Sequence, residues 1–302
     1  MRILLYVDES PYSQMSVKML EALQLSSSTE ITVMTVVSQH TFLGGVAINR
    51  LRHAQTAKKE QEKQRAAELL QDPVRVLSAN GLNVESVVRW GNPAEEIIKM
   101  AQTMRADLVV IGAKGMGDPD RFPLGSVAHN VMKYSGTSVL LVRERISKIR
   151  RVLVATDGSK HSDEVTRFLL DLPLPHTSHI YFATALQSHI ATYLKMPTLN
   201  LEANRELLEE LKATEERAAQ HILSKTETQF KERKYDTSPM LRQGEPAEAI
   251  LMVADTLYPE IIALGASGQT RIAAFHMGDV AQRVARFSRN TVLIVRLPKE
   301  RL

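Results

Sequence analysis

Apolar residues in this chain fall into short solid runs separated by stretches with helical spacing. The run Arg2-Ile-Leu-Leu-Tyr-Val7 predicts a buried strand over 2–7. Ser10 follows as a candidate N-cap with Pro11 at the first helical position. Met15, Met19 and Leu23 then recur every four residues, the spacing of one helix face. A strand is predicted at about 30–37, then a charged helical stretch near 47–71 that Pro73 should end or kink. A strand over 84–89 comes next, and Pro93 opens a helix carrying Ile97, Ile98 and Ala101. Leu108-Val-Val-Ile111 predicts another buried strand, Val127–Tyr134 a helix, and 137–142 a closing strand.

The pattern then repeats. Residues 91–144 align without a gap on 244–297, offset by 153, and 20 of those 54 positions are identical. Gly91-Asn-Pro-Ala-Glu-Glu-Ile97 answers Gly244-Glu-Pro-Ala-Glu-Ala-Ile250, and Gly112, Gly115 and Gly125 answer Gly265, Gly268 and Gly278. The first parts match more loosely, Asp8 and Ser10 answering Asp157 and Ser159 at an offset of 149. Such self-similarity is the mark of duplication. The charged connector Arg145–Arg150 separates two domains, 1–146 and 147–302, and its lack of flexible Gly/Ser character predicts that they are held close. In the second, a charged segment at 201–230 has an apolar stripe at Leu201, Leu208, Leu211, Ala218 and Ile222, expected to be a solvated helix lying on the sheet.

Strand–helix alternation in this order implies an α/β class fold, a doubly wound, five-stranded parallel sheet with right-handed crossovers in each half. Ligands of such sheets bind at the carboxyl ends of strands where the winding reverses. Asp8 ends the first strand and Gly112 the fourth, so one pocket per half is expected between them.

Composition narrows the function. At 302 residues with 44% hydrophobic and 24% charged, the chain suits two soluble domains. A net charge of +4 and a pI near 9.2 arise from basic and acidic residues mixed along the chain, which argues against a nucleic-acid footprint. No apolar run approaches a membrane span, and Asp8 interrupts the N-terminus too early for a signal peptide. Zero cysteines excludes thiol catalysis and cysteine-ligated zinc and makes the cytoplasm the default compartment. His176 and His179 flank a turn after Pro173 and Pro175 and are read as surface residues, with no metal site.

The candidate chemistry lies in Gly112-Ala-Lys-Gly115 through Gly125-Ser126. A glycine-rich loop from a strand to a helix N-terminus can bind an anion with free backbone N–H groups. Ser126 also reads as a plain helix N-cap. The spacing Gly112-x2-Gly115-x9-Gly125-Ser126 resembles the nucleotide-binding signature of the universal stress protein family. Val7-Asp8-Glu-Ser10, Gly91-Asn-Pro-Ala-Glu95 and Val139-Leu-Leu-Val142 fit the same resemblance, which covers both halves and so is that of a tandem member.

The resemblance implies a Rossmann-like fold of the adenine-nucleotide hydrolase-like type and ATP, accompanied by Mg²⁺, as the ligand. Asp8 and Val36 would line the nucleoside end; Gly112, Gly115, Gly125, Ser126 and the Val127 amide would cradle phosphate. Lys114 and Arg121 would add charge, unless they are solvated loop residues. The second copy keeps Asp157, Gly265, Gly268 and Gly278 but has Asp279 in place of Ser126 and Ser267 in place of Lys114, with Arg271 and His276 as candidate compensation. Asp caps a helix as well as Ser, yet two unit charges about 4 Å apart repel by up to ~4 kcal/mol at an effective dielectric near 20. A competent ATP site in the first half and a weaker one in the second are therefore expected. The family's habit of pairing through the last strand implies an intramolecular pseudo-dimer through 137–142 and 290–295, and leaves open further pairing of chains.

The function expected is that of a nucleotide-binding stress-response or regulatory protein with an unidentified protein partner. The alternative is a slow ATP-hydrolysing or phosphate-transferring enzyme. Against it, Asp118 and Asp120 lie beside prolines as turn residues, and no Gly-x4-Gly-Lys-Ser/Thr loop occurs, so no catalytic residue is assigned. A phospho-accepting receiver is rejected, because the third strand ends in Arg89-Trp90-Gly91 rather than an acceptor Asp.

Overall fold

The computed structural model describes residues 1–38, 49–115, 124–186, 205–268 and 277–297. It divides into two compact units, Met1–Lys148 and Ile149–Leu302. Unit 1 contains β1 (Arg2–Tyr6), α1 (Pro11–Ala22), β2 (Glu30–Val37), α2 (Asn49–Ala79), β3 (Asn83–Trp90), α3 (Pro93–Thr103), β4 (Leu108–Gly112), α4 (Ser126–Tyr134) and β5 (Ser138–Val142). Unit 2 contains β6 (Arg151–Ala155), α5 (Lys160–Asp171), β7 (His179–Leu186), α6 (Arg205–Glu232), β8 (Asp236–Gln243), α7 (Pro246–Leu257), β9 (Ile261–Gly265), α8 (Asp279–Phe287) and β10 (Thr291–Val295).

Within unit 1 the strands lie in the order β3-β2-β1-β4-β5, all parallel. Unit 2 repeats this as β8-β7-β6-β9-β10. The winding reverses between β1 and β4, and between β6 and β9, as the alternation of elements requires. Solid apolar runs become strands here because helices cover both faces, which removes any solvent side for polar residues to occupy. Ile3, Leu4, Leu5, Leu108, Val109 and Val110 are all fully buried, as are Val152, Leu153, Ile261 and Ile262 in the copy. Full burial of one such side chain contributes about 1.5–3 kcal/mol. Edge strand β8 tolerates Pro239 because an edge leaves backbone donors that need no ladder partner.

Two helices depart from the sequence pattern. Helix α2 runs past the stretch expected near 47–71 and carries Pro73 inside it, ending at Ala79. Ala66 and Leu70 before the proline and Leu77 after it are all buried, so core packing on both sides outweighs the lost backbone hydrogen bond. In α6 the buried stripe is Ala219, Leu223, Thr226 and Phe230, one position out of phase with the stripe expected. Leu211 and Ala218 are exposed, Ile222 is half-buried, and Leu201 and the Leu208 side chain lie outside the described residues. Phe230 sets the phase: it is fully buried and its ring packs against Phe182 of β7 at 5.2 Å between centroids.

The two histidines have packing roles. His179 opens β7, bonds Ser238 Oγ through Nε2 at 2.9 Å and lies 4.4 Å from the Tyr181 ring, while the exposed His176 stacks on Tyr235 at 5.3 Å.

Candidate functional site

The carboxyl ends of β1 and β4 meet through the backbone and side chains around Asp8. Ser10 N, Ser10 Oγ and Ser13 Oγ all donate to Asp8 Oδ1, at 3.0, 2.5 and 2.7 Å. Ser13 Oγ in turn accepts from Asp8 N at 2.7 Å. This carboxylate therefore organises the first turn of α1, which lacks a conventional cap: Ser10 stands at the N-cap, but its side chain makes no capping bond to the helix. Ser10 Oγ also reaches Lys114 O at 3.3 Å, which ties the end of β1 to the glycine loop. Tyr6, the last residue of β1 and two before Asp8, is buried, and burial pushes its phenol well above the usual range, with the Asp8 charge adding to the effect.

The loop leaves β4 at Gly112 and is closed at its base. Ala113 N donates to Val142 O and Gly125 N donates to Ala113 O, each at 2.8 Å. Helix α4 then begins with Gly125, not Ser126, at the N-cap; Ser126 is the first helical residue, exposed, and Val127 the second, half-buried. A glycine cap offers no side-chain oxygen to the first-turn N–H groups. Lys114 and Gly115 are half-buried, while Asp118, Asp120 and Arg121 lie outside the described residues. Val36 is half-buried on β2, in register with Arg89, two residues beyond the Tyr6–Met34 pairing that joins β2 to β1. The fold thus gathers Asp8, Lys114 and Gly112 at one point and sets Val36 one strand away.

Close packing accounts for Gly112. A Cβ there would lie 2.6 Å from Tyr12 Cβ and 3.1 Å from its carbonyl carbon, so α1 seats directly on the end of β4. Gly265 meets His161 in the same way, at 2.9 Å. Just beyond β5 and β10, burial holds the Arg143 and Arg296 guanidiniums below the usual arginine range, with Tyr12 opposing the effect at Arg143. Each follows the residue whose carbonyl anchors the base of its loop, Val142 or Val295.

The second copy differs in detail. Asp157 Oδ1 accepts Ser159 N at 3.0 Å, and Ser159 Oγ is a true helix cap for Ser162 N at 3.3 Å. Ser162 Oγ turns to Ser159 O instead of the acid. Asp157 Oδ2 lies 2.7 Å from where a Cβ on Gly268 would stand, so the carboxylate packs against the second loop glycine. Gly278 N donates to Ala266 O at 2.8 Å and Gly278 is the N-cap of α8, which makes Asp279 the first helical residue and not the cap. Arg271 and His276 lie outside the described residues.

Ser13 and Tyr12 were missed by motif reading. Their signal was present, because Asp-x-Ser-x-x-Ser occurs at 8–13 and again at 157–162.

The universal stress protein family model matches residues 1–143 and again residues 148–296. This chain belongs to the universal stress protein family. It carries two tandem copies of the family's domain. Universal stress protein MJ0577 of Methanocaldococcus jannaschii is 24% identical over 156 residues, covering 48% of this chain and 96% of the relative. A universal stress protein of Archaeoglobus fulgidus has the same fold over the full tandem length: TM-score 0.62 at 19% identity, covering 99% of this chain and 97% of that one. Protein PA1789 of Pseudomonas aeruginosa is similar at TM-score 0.63 and 12% identity, over 98% and 92% of the two chains. Among the described residues, no helix is long and apolar enough to cross a membrane.

Proposed function

We propose that this universal stress protein is a cytoplasmic, adenine-nucleotide-binding regulatory protein that holds ATP mainly in unit 1. One observation carries the reading. Loop closure through Gly125 N and Ala113 O brings the glycine-capped start of α4 to the same crevice as Asp8, and Ser10 bonds both sides of it. Backbone amides of Gly115, Ser126 and Val127, with the Ser126 hydroxyl and Lys114, would take the phosphates at the positive end of α4, which Gly125 caps without a side chain in the way. Gly112 serves the site by letting α1 approach. Asp8 and Val36 would line the nucleoside; among the described residues the donors to the Asp8 carboxylate converge on Oδ1, and Oδ2 would be the acceptor for a ribose or base donor. Mg²⁺ would accompany the phosphates of the nucleotide.

The second copy keeps Asp157, Gly265, Gly268 and Gly278 as a weaker site. Asp279 places a carboxylate in the first turn of α8, where the phosphates would sit, and Asp157 already packs against Gly268. Calorimetric titration of the full chain with Mg·ATP tests both statements. One tight site per chain is expected. Two equal tight sites would overturn the asymmetry, and no heat of binding with ATP or ADP would overturn the nucleotide reading itself.

A further inference from the structure

Resting on that reading, we infer that Trp90 is the stacking platform for the nucleotide base in unit 1, held at the far end of the crevice under α2. Trp90 is the only tryptophan in the chain. It ends β3, paired in register with Val37 of β2, and the next residue is still tied to that strand by Gly91 N donating to Val37 O at 3.1 Å. Trp90 is half-buried at the carboxyl edge of the sheet. A large aromatic ring held rigidly at the mouth of an α/β crevice is well suited to receive a flat base.

Helix α2 fixes the geometry. Lys59 sets its ammonium 5.3 Å from the centre of the Trp90 ring. Six residues further on, Arg65 forks onto Glu9, with Nε to Oε1 at 2.5 Å and Nη2 to Oε2 at 2.8 Å. Glu9 is the neighbour of Asp8. The two strand spacings from β3 to β1 span about 9.6 Å. The same helix therefore touches Trp90 at the end of β3 and Glu9 beside Asp8 at the end of β1, with the end of β2 between them. One more strand spacing leads to the loop on β4, for a total of about 14 Å. A base, ribose and phosphate chain laid across the carboxyl ends of these strands would meet Trp90, then the end of β2, then Asp8, then the loop, in that order.

Magnitudes favour the exchange of partners this requires. Lys59 is exposed, and a cation over an aromatic ring at an exposed site contributes only about 0.5–1 kcal/mol. Stacking of a base on an aromatic side chain contributes about 1–3 kcal/mol. The base displaces the ammonium, which stays beside the bound nucleotide as a positive charge. Unit 2 has Gln243 at the position of Trp90 and no such platform, a second source of the difference between the copies.

The test uses the full chain, Mg·ATP and inorganic tripolyphosphate, followed by calorimetry and by Trp90 emission. ATP is expected to change the emission saturably at its calorimetric Kd, and tripolyphosphate to bind without that change. Trp90→Leu should weaken ATP by about 5- to 150-fold, the range given by 1–3 kcal/mol of stacking. It should leave tripolyphosphate within twofold, and Trp90→Phe should restore most of the ATP affinity. If Trp90→Leu does not fold, the wild-type emission and Trp90→Phe still decide. ATP bound equally by wild type and Trp90→Leu, or bound without any emission change, would overturn the platform and leave the nucleotide site standing. Failure of the wild-type chain to bind ATP would overturn both.

Discussion

Ser13 holds Asp8 from two directions, donating its hydroxyl to Oδ1 at 2.7 Å and accepting the Asp8 backbone N–H at 2.7 Å. The equivalent Ser162 does neither, and donates to Ser159 O. Ser13→Ala should therefore strip a part-buried acid of one donor and leave a backbone N–H unsatisfied, costing about 1–3 kcal/mol. Ser162→Ala loses one bond whose acceptor, Ser159 O, still takes the Asp163 N–H, and should cost about 0.5–1.5 kcal/mol. Urea unfolding of the two variants checks the order, and equal losses would contradict it.

The loop glycines should divide by contact. Gly112→Ala drives a Cβ to 2.6 Å of Tyr12 Cβ, and Gly265→Ala to 2.9 Å of His161 Cβ and 3.0 Å of Ser267 O. Each is expected to cost about 1–3 kcal/mol through overpacking. Gly278→Ala meets nothing nearer than 3.5 Å and changes only an N-cap, so a loss near or below about 1 kcal/mol is expected. Thermal unfolding monitored by circular dichroism would rank them.

Exchanging the first helical residues of α4 and α8 should exchange ligand affinity with little effect on folding. An acid in a first turn is favourable to the helix by about 0.3–1 kcal/mol, so Ser126→Asp should fold as well as the parent. Its carboxylate would repel phosphate, and ATP affinity in unit 1 should fall at least tenfold. Asp279→Ser removes that repulsion in unit 2 and should bring a second binding event into the calorimetric trace. A trace unchanged by both substitutions would remove the serine–aspartate difference as the cause of asymmetry.

Glu227 should give unit 2 an acid-sensitive clasp. Its carboxylate accepts from Lys231 Nζ at 2.9 Å and from Thr237 Oγ1 at 2.8 Å, joining α6 to β8. The Lys231 bond is the largest influence and burial opposes it; with the Thr237 bond and the Lys231 charge it holds the Glu227 pKa below the ordinary value. A depressed folded pKa stabilises above the unfolded value, near 4.3, and that contribution fades as pH falls through the lower folded value. Glu227→Gln should be less stable than the parent at pH 7 and converge with it below about pH 4. Parallel stability curves from pH 7 to pH 3 would contradict this.

Much of the architecture was legible because it follows from short-range necessity. Runs such as Leu108–Ile111 have no polar position, so they fit only strands covered on both faces. The repeated glycine spacing at 112–125 and 265–278 marked both the duplication and the strand-to-helix loops. The candidate site was legible as a set of positions, since strand order in a doubly wound sheet brings Asp8 and Gly112 together once the winding reverses.

Sequence by itself therefore determined the elements, their order, the two copies and the residues gathered at the crevice, all of which depend on local pattern and on topology rules. Tertiary structure alone decided how those residues are used. Whether Pro73 breaks α2 depended on Leu70 and Leu77 finding a core, and the phase of α6 depended on Phe230 meeting Phe182. That Gly112 makes room for Tyr12, that Asp8 is locked by Ser13 while Asp157 leans on Gly268, and that Arg65 reaches Glu9 are contacts between segments far apart or bonds of chosen rotamers. Periodicity carries no information about such contacts, because it records which side of an element is buried and not which atom it is buried against.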